Sequence, residues 1–104
     1  MKTNEYGEAL DRNGYAPSIW SDGRCVCCGR ADGLQRHEVY HGSNRERSKN
    51  LGCWVTICCE CHMGLHHRDA GVDKALKIQM QEKAMDHYGW SVEDFRQRFG
   101  RSWL

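Results

Sequence analysis

Residues 25–41, CVCCGRADGLQRHEVYH, and residues 53–62, CWVTICCECH, decide how this chain of 104 residues folds. Each stretch holds a Cys-x-x-Cys doublet, Cys25 with Cys28 and Cys58 with Cys61. Together the doublets supply four thiolates, the donor set of a closed tetrahedral zinc site, and such a site staples the chain on either side of it. Gly29 follows Cys28, where a zinc knuckle turns its backbone sharply behind the second sulfur, so Cys25 and Cys28 are the preferred ligands of the first doublet. Cys27 and Cys59 each adjoin a ligand and could replace it in a shifted register. With Cys53 they complete the seven cysteines and read as small buried or neighbouring thiols.

Working outward, Asp32-Gly33 signals a turn, and Gln35, His37, Val39 and His41 then alternate with Leu34, Arg36, Glu38 and Tyr40, the period of a short strand. Neighbours on a strand point to opposite faces, so His37 and Glu38 can serve one site only if the strand ends or bulges there. Residues 42–50 read as a polar loop, and Cys53–Ile57 is a β-branched and aromatic run that predicts a second strand. After the second doublet, CHMGLHHR predicts a helix with His62 and His66 one turn apart on one face and His67 turned away.

The segment at residues 69–71 predicts a break. A long helix then starts near Val72, where Val72, Ala75, Leu76, Gln79, Met80 and Ala84 follow helical spacing, and ends at Gly89. Ser91-x-x-Asp94 has the form of a capping box opening a last helix with Val92, Phe95 and Phe99. Residues 1–22 read as an extended arm punctuated by Gly14 and Pro17, with Tyr15, Ile19 and Trp20 as anchors. The organisation expected is a single domain over residues 1–104, with an arm at 1–22, a zinc-stapled core at 23–68 and a helical part at 69–104.

At 39% hydrophobic residues, a chain this short builds a modest core, and a metal staple supplies what the core lacks. No apolar run is long enough for a membrane span, and the opening MKTNEYGE has no leader pattern. The expectation is a cytoplasmic protein, where a reducing environment favours metal thiolates over disulfides. The formal net charge is +1, and four thiolates with one divalent ion bring it to about −1. Whole-chain charge is therefore no argument for a nucleic-acid partner; the local run Arg45, Arg47 and Lys49 is the more informative feature.

The order knuckle, strand with histidine, basic loop, strand, knuckle and helix beginning with histidine resembles the zinc-containing HNH endonucleases of the ββα-metal class. In particular it looks like the small phage and prophage members that pair an Arg-His-aliphatic strand with a basic Ser-bearing loop. The motif covers Cys25 to about His67 and extends more loosely to the C-terminal FGRSWL. The resemblance implies an α+β fold: a ββα-metal core stapled by four cysteines, with an N-terminal arm and C-terminal helices. It implies a metal-dependent endonuclease that hydrolyses DNA phosphodiesters in a bacterial host cell, with DNA and other phage DNA-processing or packaging proteins as partners and no membrane.

The resemblance also assigns roles. His37 takes the place of a metal ligand and Glu38 that of the general base; a shifted register makes His37 the base and Glu38 a ligand. His62 matches the last histidine of the motif, and His66 resembles an additional metal ligand. The catalytic cation, Mg²⁺, Mn²⁺, Ni²⁺ or Zn²⁺, would be held by His37, His62 and His66, and Arg36, Arg45, Arg47 and Lys49 would hold flanking phosphates. The chain departs from the family in two places: Glu38 stands where a histidine base is expected, and Cys53 stands where the central asparagine belongs. Asn50 and Asn44 lie upstream and either could reach in; Asn50, three residues out of register, is the nearer. These departures leave a second reading, a zinc-binding module that contacts nucleic acid or protein without cutting. A thiol redox protein is a third, and it needs a βαβ context that is absent.

Overall fold

The computed structural model describes residues 2–67 and 70–104, with the side chains of residues 66, 67 and 70 outside that description. Strand β1 (Leu34–Glu38) leads through a single 3-10 turn (Gly42–Asn44) into helix α1 (Arg45–Asn50) and then strand β2 (Trp54–Cys58). Helices α2 (Cys59–His67), α3 (Ala70–Tyr88) and α4 (Val92–Phe99) follow. The architecture is α+β: one antiparallel pair of strands, in register from Leu34 opposite Cys58 to Glu38 opposite Trp54, with helices packed against it.

Both strands form where the alternation predicted them. His37 and Val39 are buried on β1 and its extension, and Val55 and Ile57 are buried on β2. The outer edge of β2 is covered rather than left open. Ser18 Oγ donates to the Trp54 carbonyl, Thr56 N–H donates to Ser21 Oγ, and Val26 N–H donates to the Thr56 carbonyl. The segment from Ser18 to Val26 thus does the work of a third strand and satisfies backbone groups that would otherwise face solvent or another chain.

Residues 45–50 were expected as loop and are helical. The sequence RERSKN has no apolar stripe, yet Ser48 is fully buried, with its Oγ accepting from Tyr40 N–H and donating to the Cys53 carbonyl. Those bonds tie the helix to both strands. Arg47 and Lys49 in its last turn also suit the negative end of the helix dipole.

On α3, Leu76, Met80 and Ala84 face the core at helical spacing, while Ala75 and Gln79 are exposed. They meet Phe95 and Phe99 of α4, and Tyr40 packs against both phenylalanines, with ring centroids 5.4 and 4.6 Å away. The capping box forms as predicted, with Ser91 Oγ accepting from Asp94 N–H and the Asp94 carboxylate accepting from Ser91 N–H. The arm is not simply extended. Thr3 bridges to Ala9, Tyr6 and Trp90 flank the ring of Tyr88, and Ala16 and Ile19 N–H groups donate to the carbonyls of Lys49 and Gly52. Gly52 has φ +70° and a Cβ there would lie 2.3 Å from the Pro17 carbonyl oxygen, so this crossing of arm and β2 requires glycine. Among the described residues, no helix is long and apolar enough to cross a membrane.

Candidate functional site

The first knuckle is built from local backbone bonds. Cys25 N–H donates to the Arg30 carbonyl, Gly29 N–H donates to the Cys25 carbonyl, and Gly29 takes φ +78°, the left-handed turn expected behind Cys28. The second knuckle follows from the end of β2 and the first turn of α2, so Cys58 leaves the strand and Cys61 enters from the helix. Cys59 N–H donates to the Gly33 carbonyl, which ties the two knuckles together through the turn before β1.

The sulfurs of Cys25, Cys28, Cys58 and Cys61 all lie within 4.8 Å of one another, and Cys28 and Cys58 are 3.7 Å apart. Tetrahedral zinc with Zn–S bonds of about 2.3 Å places its sulfurs about 3.8 Å apart, so the spacing fits a single ion. Two of the thiols are also shifted in opposite directions. Burial raises the Cys25 thiol, but the backbone N–H groups of Cys58, Cys28 and Cys27 outweigh it and bring the thiol down to about 6. The hydrogen bond to Cys58 and then burial push the Cys61 thiol up. Only a bound cation lets all four ionise together. Cys27 and Cys59 are exposed and outside this quartet, and Cys53 is buried away from it beneath Leu51, where burial raises its thiol strongly.

Beside the quartet, β1 and α2 bring His37 and His62 together, with ring centroids 5.1 Å apart and the rings at 62°. His37 is 3% exposed, and the ring of His41 is also near it, 6.4 Å between centroids. Gln35, two residues before His37 and on the same strand face, sits with Oε1 2.7 Å from His62 Nδ1. With the amide oxygen as acceptor, Nδ1 carries the proton and the ring orientation is fixed by this bond. The role of Gln35 was legible in principle, because strand alternation already groups it with His37. The side chain of His66 lies outside the described residues.

Glu38 is not brought to the histidines. The strand is regular through Glu38, with no bulge at the pair, so alternation sends its carboxylate to the opposite face. There it accepts from the Tyr15 hydroxyl at 2.8 Å and from Arg45 Nε at 3.0 Å. Burial raises the Glu38 carboxyl, but these two donors prevail and hold it below the ordinary carboxylate range, the wrong direction for a general base. Asn50 is likewise turned to the arm: its carbonyl accepts from Asn4 Nδ2 at 2.8 Å, and its side-chain oxygen lies near Gly14.

The four cations expected to hold phosphates all have partners within the chain. Arg36 binds Asp11 at 2.8 Å and lies over the rings of Tyr15 and Trp54. Arg45 binds Glu38, Arg47 donates to the Arg98 carbonyl, and Lys49 is 9% exposed, near Glu46 and the ring of Tyr15. Compared with protein-family models, curated proteins and solved structures, the chain matches none at a significant level.

Proposed function

We propose that this protein is a metal-dependent DNA endonuclease of the ββα-metal, HNH type, with a structural zinc on Cys25, Cys28, Cys58 and Cys61. The observation that carries the reading is the pairing of His37 from β1 with His62 from the first turn of α2, directly beside the cysteine quartet. An ion bound at about 2.1 Å by one nitrogen of each of two imidazoles, at tetrahedral angles, sets the ring centroids about 5 Å apart. The 5.1 Å separation suits that arrangement.

In this reading the four-cysteine zinc is closed and has a positioning role, locking β2 to α2 so that His62 meets His37 in fixed geometry. Gln35 orients His62, and His62 with His66 one turn later would hold a divalent cation whose open positions take phosphate oxygen and water. The cation would stabilise charge on the phosphorane and the leaving oxygen. His37, next to the cation, would accept the proton of the attacking water or complete the coordination; Glu38 has no part in either step. A place in phage DNA processing rests on the family resemblance alone.

The test is nicking of supercoiled plasmid by the zinc-loaded protein with Mg²⁺, Mn²⁺ or Ni²⁺. Activity is expected with at least one of these ions and is expected to fall about 100-fold or more in His62→Ala and His37→Gln. Cutting that survives both substitutions, or no cutting with any ion, refutes the reading.

A second reading, a zinc-stapled module that binds without cutting, draws on a specific set of contacts. Glu38 is engaged with Tyr15 and Arg45, and buried Cys53 stands in the asparagine position. It predicts one tightly held zinc per chain and no nicking.

A further inference from the structure

Where a DNA strand would be gripped is open once Arg36, Arg45, Arg47 and Lys49 are seen to be occupied. A cleft on the histidine side of the molecule offers an alternative. It runs between the β1–α1 connection, α3 and the C-terminal tail, and is lined by His41, Asn44, Lys77, Arg101 and Trp103 among others.

The tail is held in place by buried chemistry. Gly100 caps α4 with φ +83° and turns the chain back toward α3. There the fully buried Gln81 donates through Nε2 to Ser102 Oγ at 2.9 Å and accepts at Oε1 from Trp103 N–H at 2.6 Å. This sets the Trp103 ring beneath the Arg101 guanidinium, 3.8 Å from its centroid, with Lys77 Nζ at 4.8 Å. Asn44 Nδ2 donates to the Phe99 carbonyl at 3.0 Å and so fixes the opposite wall.

Arg101 differs from Arg36, Arg45, Arg47 and Lys49. Among the described residues no carboxylate lies within ion-pair distance of it, and its only side-chain hydrogen bond is a long one, 3.4 Å, to the Ser102 carbonyl. A guanidinium stacked on an aromatic ring uses its face for the ring and keeps its N–H edge for a bidentate oxyanion. Lys77 adds a second charge, shared with Asp73 at 2.8 Å, and Asp73 also lies 3.8 Å from His41 Nε2. His41 belongs to this cleft and to the surroundings of His37, so cleft and histidine pair are continuous.

We propose that this cleft, with Arg101 as its donor, binds a backbone phosphate of the DNA strand whose scissile phosphate lies at the His37–His62 pair. The proposal rests on the endonuclease reading for the identity of the ligand, and its test is separable from catalysis. Binding of a fluorescently labelled DNA duplex is followed by anisotropy over a range of salt, with zinc-loaded protein and no added divalent ion.

Arg101→Gln is expected to weaken binding about tenfold and to lower the slope of log affinity against log salt by about 1. Arg101→Lys should restore the slope but not the full affinity, because a lysine cannot reproduce the bidentate fork. Arg96→Gln, which removes the same charge from an α4 position outside the cleft lining, is the control. Equal behaviour of Arg101→Gln and Arg96→Gln, or no binding by the parent protein, overturns the proposal. Plasmid nicking separates the two ideas. Nicking with affinity indifferent to Arg101 refutes the cleft and leaves the nuclease standing; Arg101-dependent binding without nicking does the reverse.

Discussion

The two faces of β1 carry side chains of equal chemical promise and use them in opposite ways. On one face Gln35 and His37 look toward α2, where Gln35 meets His62 and His37 packs beside it. On the other, Arg36 and Glu38 are taken up by the arm and α1: Arg36 by Asp11, Tyr15 and Trp54, Glu38 by Tyr15 and Arg45. Residue type alone would place all of them in a phosphodiesterase site. The strand period divides them into a pair that faces His62 and a pair that fastens the arm to the core.

The harshest way to break this contrast is to remove the metal quartet, on which both faces depend. Leu34 opposes Cys58 at the end of the ladder, so the register of β1 is set beside the cysteine site. Structural zinc supplies folding free energy of roughly 10 kcal/mol or more in small zinc modules, comparable to the whole stability of a domain this size. Cys58→Ser, or stripping with a strong chelator, is therefore expected to abolish the cooperative thermal transition and the near-UV circular dichroism of the aromatic core. A chelated protein that kept both would show that the helical part folds without the staple.

A milder cut falls on the second face alone. Glu38→Gln keeps shape and removes the charge that Arg45 and Tyr15 bind, with an expected loss of about 1–2 kcal/mol, or roughly 5–15 °C in melting temperature. Nicking, where it occurs, should stay within about threefold of the parent; a drop as large as that of His62→Ala would return Glu38 to the catalytic set. The effect should also depend on pH. The folded Glu38 carboxyl lies below its ordinary value, so its contribution is present above the unfolded carboxyl range near pH 4.3 and is lost as pH falls through the folded value. The gap in melting temperature between parent and Glu38→Gln should therefore close as pH drops below about 4. Metal loss from the quartet in acid would end the cooperative transition of both proteins, so the narrowing is read down to that pH.

The same division explains what could be read from the sequence. The cysteine quartet, both strands, the capping box at Ser91 and the His62-bearing helix were legible because each rests on spacing within a few residues. Helix α1 was not, since its stability comes from Ser48 bonding to Tyr40 and Cys53 across the chain rather than from an apolar period. Nor was the engagement of Glu38, whose partner Tyr15 is 23 residues away in the arm. The partners of Arg36, Arg45, Arg47 and Lys49 were hidden for the same reason: charge density is visible in a sequence, but the carboxylates, carbonyls and rings that engage it are set by the fold.

The smallest effect should come from Tyr15→Phe, and it tests whether the arm is fastened by its polar contact or by its rings. The substitution removes one hydroxyl and leaves the edge-on contact with Trp54, at 5.6 Å between centroids, and the Arg36 guanidinium 4.3 Å from the ring centre. Glu38 then keeps Arg45 as its charged donor, so no carboxylate is stranded, and the loss should be near 1 kcal/mol, about 4–8 °C in melting temperature. Tyr15→Ala additionally removes the surface on which Arg36 and Trp54 rest and should cost clearly more. If the two variants melted alike, the arm would be held by the hydroxyl alone, and the second face of β1 would be a hydrogen-bonded latch rather than a packed one.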